Sequence, residues 1–197
     1  MTMSELPLVL ASTSPYRREL LGRLGLRFSV CAPEVDETRA AGERPAALVR
    51  RLAEAKALAG ACLQSAPTLV IGSDQVAVVD DEVLGKPGSI ELACAQLERL
   101  SGRRVTFLTG LCLHHSDAQR SQIDLVPFTV VFRKLSSAQI DAYVQQERPL
   151  NCAGSFKSEG LGIALFERME GTDPTALMGL PLIRLVDMLG AEGVDVL

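Results

Sequence analysis

The chain has 197 residues, with 20 Lys plus Arg against 24 Asp plus Glu and a net charge of −4. Hydrophobic residues make up 47% and charged residues 22%, which is ordinary globular usage and excludes disorder as the main state as well as collagen-like or coiled-coil fibres. An isoelectric point near 5.3 gives no support to a basic nucleic-acid-binding surface. The length fits one domain, or two lobes sharing one core. Aromatic residues are 4% with no Trp, so the core must come from Leu, Val, Ile and Ala. The longest uncharged run, Ala57 to Ser73, holds Gln64, Ser65 and Pro67 and is no membrane span. The N-terminus has no basic leader, and Leu8 to Ala11 is too short for a signal core, so the expected setting is the cytoplasm. Five Cys (31, 62, 94, 112 and 152), odd in number and without a Cys-x-x-Cys pair, support neither a zinc site nor a disulfide framework. They read as free buried thiols.

In chain order, Leu8 to Ala11 reads as a short buried strand. Ser14-Pro15 then opens a helix, with Ser as cap and Pro in the first helical position. Leu20, Leu21 and Leu24 carry its period, and Gly25 can end it. Arg27 to Cys31 is a second strand, and the acidic stretch Pro33 to Arg44 a loop. A helix runs from Pro45 to about Cys62, with Leu48, Leu52, Ala55 and Ala59 on its apolar face. Thr68 to Gly72 predicts a strand, broken at Ser73-Asp74 and followed by a second apolar run, Val76 to Val79. Gly85 to Gly88 is a tight turn, and Ser89 to Leu100 a helix. Val105 to Leu113 and Ile123 to Phe132 form a large hairpin. Ser136-x-x-Gln139 is a capping box opening a helix that ends before Pro149. Asn151 to Gly162 is a Gly-rich polar stretch, and Pro181 to Gly190 the last helix. Early alternation of strands and helices followed by a hairpin is an α/β protein with a mixed sheet.

Chemistry has few places to sit. Neither a Walker A loop nor a Gly-x-Ser-x-Gly elbow nor a His-Glu-x-x-His motif occurs. The two His, His114 and His115, fall at a strand end and read as solvent-facing, so acid–base work falls to carboxylates. Ser12 to Arg18 joins a strand to a helix start, whose outward N–H groups attract phosphate. Arg17 and Arg18 oppose the dipole there, a conflict that a bound anion would resolve. Asp74, placed at the C-terminal end of an apolar strand, could take a proton from water or hold a divalent metal. Lys56 and Lys86 are two of only four Lys against 16 Arg, and compact point charges suit phosphate. Cys152 to Gly160 allows close backbone approach through its glycines and carries Glu159, suited to base recognition. By itself this stretch reads as a mobile loop.

Taken together these segments resemble the Maf family of nucleoside triphosphate pyrophosphatases. The matching residues are Leu10 to Leu21, Val35-Asp36-Glu37, Arg51 to Ala57, Gly72 to Val76, Gly85-Lys86-Pro87, Cys152 to Gly162 and Gly179-Leu180-Pro181, in family order. The resemblance implies a single domain over residues 1–197 without a linker. Its fold would be an elongated mixed sheet flanked by helices, with two lobes and a deep cleft. It implies hydrolysis between the α- and β-phosphates of a nucleotide with a divalent cation, Mg²⁺ or Mn²⁺. By motif position Asp74 is the proton acceptor, and Ser12, Arg17, Arg18, Lys56 and Lys86 handle phosphate. Glu37 and Asp74 are the natural metal ligands, because Mg²⁺ prefers oxygen and needs few carboxylates.

One branch of the family prefers dTTP and UTP and carries Arg, Thr and Gln where this chain has Tyr16, Gln75 and Glu159. The chain is similar instead to the branch acting on 7-methyl-GTP, with Tyr16 a departure from the Trp of close relatives. N7-methylation makes the guanine cationic, which favours the Tyr16 face and a carboxylate such as Glu159. The implied partner is a small nucleotide, not nucleic acid or membrane, and a homodimer is left open. House-cleaning of modified nucleotides fits this reading. The alternatives are a dTTP/UTP pyrophosphatase of the same family and a nucleotide-binding cell-division regulator with little turnover.

Overall fold

A computed structural model describes residues 6–197; the N-terminal residues 1–5, on which the expectation about a leader falls, lie outside the described residues. The described elements follow in the order β1 (Leu8–Ala11), α1 (Pro15–Gly22), β2 (Phe28–Cys31), α2 (Pro45–Cys62), β3 (Leu69–Val79) and β4 (Glu82–Leu84). Then come α3 (Ile90–Leu100), β5 (Arg104–His115), β6 (Arg120–Phe132), α4 (Ser137–Glu147), β7 (Phe166–Gly171) and α5 (Leu182–Ala191). The sheet order is β2-β1-β3-β5-β6-β7, with β4 also on β3. β1 is parallel to both β2 and β3, with Leu8 opposite Phe28 and Leu69. β4 and β7 are antiparallel to β3 and β6. The expected α/β class with a mixed sheet is therefore what forms.

The chain divides into two compact units. The first comprises Met1–Gln75, Thr109–Val126 and Asp173–Leu197, and the second Val76–Leu108 and Pro127–Thr172.

In the first unit the strand period of two sorts the core onto two faces. Leu8, Leu10, Leu69, Ile71, Leu111 and Leu113 pack with Leu20 and Leu21 of α1 and Leu185, Met188 and Leu189 of α5. Val9, Ala11, Val70 and Cys112 pack with Ala53 and Ala57 of α2. The residues on this second face are small, and the backbones approach closely. A Cβ on Gly72 or Gly110 would overlap the carbonyl oxygens of Ala53 and Val49, and one on Gly60 would come within 2.7 Å of the Ala11 Cβ. Helix α2 therefore lies against the sheet with almost no side-chain spacer.

In the second unit, Ser89 caps α3 by accepting from the Leu92 N–H, and Ser136 with Gln139 forms the expected capping box of α4. Phe107, Phe132, Phe156 and Phe166 meet edge to face, with ring centroids 4.8–5.7 Å apart. Edge-to-face pairs of this kind add about 0.5–1.5 kcal/mol each beyond area burial.

Several sequence expectations change. β3 runs unbroken through Ser73-Asp74, so Asp74 sits mid-strand rather than at a strand end. The polar residues need no turn there because partners distant in sequence satisfy them, as described below. β4 and β7 were not foreseen; each is short and half-exposed, with too little hydrophobic period to register. The stretch Asn151 to Gly162 is not a bare loop: it holds 3₁₀ turns at Ala153–Ser155 and from Leu161, and it buries Phe156. His114 is buried rather than solvent-facing, its Nδ1 3.0 Å from the Ser121 hydroxyl. The five thiols are free, but only Cys112 is buried, and Cys62 is exposed at the end of α2.

Candidate active site

The first unit brings several of the anticipated residues together. Lys56 projects from α2, and its Nζ lies 2.7 Å from Asp74 Oδ1 on β3 and 2.7 Å from Glu37 Oε1. The close approach allowed by Gly72 explains the first contact: Gly72 and Asp74 point to the same face two residues apart, and the α2 backbone passes over Gly72 at Ala53 and Ala57. Lys56 and Asp74 are each 9% exposed, whereas the Glu37 side chain is 62% exposed, so the pair has a dry and a wet end.

Glu37 belongs to the acidic loop, which is fastened to α2 by a second ion pair. Arg51 grips Glu43 with both Nε (2.7 Å) and Nη2 (2.9 Å) and also donates to the Thr38 carbonyl at 3.1 Å. This hydrogen bond pulls the Glu43 carboxyl down to about 2. The loop thus carries its own tie on each side of Glu37, with Asp36 accepting from the Thr38 N–H.

At the end of β1, Ser14 caps α1 by accepting from the Arg17 N–H, as expected. The Ser12 hydroxyl accepts from the Ser14 N–H at 3.2 Å and stands 3.5 Å from Arg17 Nη1. Arg17 donates from Nε to the Gly179 carbonyl at 2.8 Å. Burial lowers the Arg17 pKa, against the opposite pull of Asp74 and Glu37. A guanidinium stays charged under such pressure, so Arg17 is a half-desolvated cation within electrostatic reach of both carboxylates. Tyr16 and Arg18 flank it and are exposed.

Ser73 and Gln75 point to the other face of β3. The Ser73 hydroxyl is 2.9 Å from the carbonyls of Gly110 and Gly179. Gln75 Nε2 donates to Thr109 Oγ1 at 2.9 Å and to the Ala176 carbonyl at 2.6 Å. The segment they hold is nucleated by Asp173, whose buried carboxylate accepts from Thr175 N, Thr175 Oγ1 and Ile183 N at 2.6–2.9 Å. Thr109 and Asp173 were not singled out from sequence, and Ser73 only as part of the Gly72 to Val76 motif. An Asp-Pro pair opening a short turn was the available signal for the last.

The second unit holds Lys86 and Glu159, both exposed. The Lys86 turn is pinned by Gly85 accepting from Gln96 and by Gly88 donating to Leu150. The Glu159 segment is clamped to α4. Lys157 donates its N–H to the Tyr143 hydroxyl and its Nζ to the Glu147 carbonyl, and Leu161 N donates to Glu147 Oε1, each at 3.0 Å. Burial pushes the Tyr143 hydroxyl pKa up, so it stays a neutral partner here.

A family model described as "Maf-like protein" matches residues 7–192. The chain belongs to the Maf family. It is 58% identical over 193 residues to a Pseudomonas putida protein named 7-methyl-GTP pyrophosphatase, covering 97% of this chain and 99% of that one. It is 53% identical over 195 residues to a Vibrio cholerae protein of the same name, covering 99% and 100%. The Staphylococcus aureus Ham1 protein shares the fold, with a TM-score of 0.50 and 14% identity over 94% of this chain and 99% of that one.

For this Maf protein the donor set can be tested against a divalent cation. Among the described residues no group of three or more His, Cys, Asp or Glu is arranged to hold a metal. Two carboxylates, Glu37 and Asp74, share Lys56 between them. That is too few for an all-protein cage. It does suit Mg²⁺, which takes one or two carboxylates and fills its octahedron with water and substrate phosphate. No helix among the described residues is long and apolar enough to cross a membrane.

Proposed function

We propose that this protein is a nucleoside triphosphate pyrophosphatase acting on 7-methyl-GTP in the cytoplasm, with residues 1–197 forming one Maf-like domain. The observation that carries the reading is the buried Lys56–Asp74 pair, held by α2 against β3 with Arg17 and Glu37 in electrostatic reach. Cations and carboxylates thus alternate in the arrangement that an anionic substrate and a water nucleophile require. The names of the relatives at 53–58% identity support the substrate.

In this mechanism Asp74 orients the attacking water and accepts its proton. The water oxygen bonds to phosphorus and the α–β bridging bond breaks, so 7-methyl-GMP and pyrophosphate leave. Arg17, Arg18, Lys56 and Lys86 balance the phosphate charge, and the Ser12 hydroxyl donates to a phosphate oxygen. Glu37 and Asp74 would hold Mg²⁺ or Mn²⁺, which supplies charge neutralisation on the phosphates. Tyr16 offers its face to the cationic base, an interaction of about 0.5–2 kcal/mol. Glu159 accepts from the Watson–Crick edge. Support for Lys86 and Glu159 is their motif position and exposure. Gln75 spends its amide nitrogen on Ala176 and Thr109, which leaves its carbonyl oxygen as the atom suited to a substrate donor.

The test is pyrophosphate release with Mg²⁺ or Mn²⁺ from 7-methyl-GTP, GTP, UTP, dTTP and CTP. The expected result is a clear preference for 7-methyl-GTP. Preference for UTP or dTTP keeps the chemistry and discards the roles of Tyr16 and Glu159. Absence of turnover on all five discards the enzyme reading in favour of a nucleotide-binding regulator.

A further inference from the structure

The motif residue in front of Asp74 has its own geometry. Ser73 is fully buried and faces away from Lys56, and its hydroxyl lies 2.9 Å from both the Gly179 and the Gly110 carbonyls, which share its one proton. The Gly179 carbonyl also accepts from Arg17 Nε at 2.8 Å. Gly179 has φ +97°, which an L side chain adopts only under strain, and a Cβ there would stand 3.3 Å from Arg17 Nε. Its N–H donates back to the Ala176 carbonyl at 3.0 Å, closing the short turn that Asp173 opens. One carbonyl oxygen therefore receives a catalytic-unit strand through Ser73 and a phosphate-binding side chain through Arg17.

From this we infer that Ser73 and Gly179 are positioning residues that aim the Arg17 guanidinium at the substrate phosphates. The inference rests on the proposed nucleotide chemistry of the site. A guanidinium has five N–H donors in a rigid plane. Tying Nε to Gly179 fixes that plane and leaves the two terminal nitrogens, one of them 3.5 Å from the Ser12 hydroxyl, to grip a phosphate side by side. Without the tie, Arg17 keeps its charge but must order its rotamers on binding. The glycine is required twice, for its φ and because a side chain would push on Nε. The serine ties the carbonyl side of Gly179 to β3, whereas the turn's own bond to Ala176 holds only its N–H side.

The experiment is a double-mutant cycle with Ser73→Ala, Arg17→Ala and the pair. Its readouts are kcat/KM for pyrophosphate release from 7-methyl-GTP and equilibrium affinity for inorganic tripolyphosphate. Misplacing a binding group by about 1 Å costs up to about a hundredfold, so Ser73→Ala is expected to lower kcat/KM and tripolyphosphate affinity by about ten- to a hundredfold. In the Arg17→Ala background the same change is expected to have less than about twofold effect, because contacting residues are non-additive. An equal loss in both backgrounds overturns the inference, since Ser73 would then act through Asp74 or through stability. If Ser73→Ala does not fold, Gly179→Ala carries the same cycle: backbone strain lowers Tm in either background, whereas the push on Nε is felt only with Arg17 present. A wild-type chain that releases no pyrophosphate from any triphosphate overturns the proposed function, while the tripolyphosphate cycle still decides the aiming of Arg17.

Discussion

The residues assigned to chemistry and those assigned to recognition are held in opposite ways. In the first unit Asp74 and Lys56 are nearly buried, sit on a central strand and a long helix, and are fixed by backbone contact at Gly72 and Gly110. In the second unit Lys86 and Glu159 are exposed on short turns, and it is the turn backbones, not the side chains, that are pinned. Proton transfer needs groups held to fractions of an ångström. Recognition of a base or a terminal phosphate tolerates side chains that order on binding, at a cost in rotamer entropy. On the proposed roles, rigidity therefore follows the step that each side chain would serve.

The contrast is broken most directly at its rigid end. Asp74→Asn is expected to lower kcat by about 10²–10⁴ with the circular dichroism spectrum unchanged, since it removes a proton acceptor and keeps the shape. Retained turnover in that variant would remove Asp74 from the chemistry.

A second break is structural. Gly72→Ala places a methyl group against the Ala53 carbonyl, and overpacking of this sort costs about 3 kcal/mol. At about 2–4 °C per kcal/mol for a chain of this length, Tm should fall by roughly 6–12 °C. The matched change in the exposed turn, Gly85→Ala, meets open space and should stay within about 0.5 kcal/mol. Equal shifts in thermal denaturation of the two variants would erase the distinction between the regions.

Glu159→Gln sharpens the comparison from the recognition side. It should lower the kcat/KM ratio of 7-methyl-GTP over GTP about tenfold, the value of one charge-assisted hydrogen bond, with Tm unmoved. A uniform loss on both nucleotides would make Glu159 a general binding residue.

The smallest effect concerns His114. Burial lowers its pKa, so the unfolded chain binds its proton more readily than the folded one. Stability linked to the neutral imidazole is then fully present above the unfolded value of about 6.5 and declines as pH falls below it. Wild type should therefore lose Tm more steeply than His114→Gln between pH 7 and 5. Parallel slopes would mean that His114 titrates freely.

Much of this was legible in advance, and the reason is locality. Ser14-Pro15, Pro45 and Ser136-x-x-Gln139 announce helix starts through contacts within one turn, and all three open helices where expected. The Leu repeat of α5 and the alternation of β1 report the core faces in the same local way. Ser12, Arg17, Lys56 and Asp74 were marked by residue type and motif order, and Lys56 does meet Asp74 across 18 positions of sequence. The strand through Asp74 was not legible, because a Gly-Ser-Asp-Gln run looks like a turn until Ser73 and Gln75 find carbonyls about a hundred residues away. His114 misled for the same reason: its place in the interior depends on a hydroxyl from the neighbouring strand.

By itself, the amino-acid sequence determined the α/β class, the helix starts and the set of charged residues from which a site could be built, since caps and periodicity act over a few residues. Only the tertiary structure decided that Asp74 lies mid-strand, that Lys56 lies between two carboxylates, and that the Gly179 carbonyl joins Ser73 to Arg17. Those facts depend on how closely two backbones approach and on which distant carbonyl a buried donor reaches.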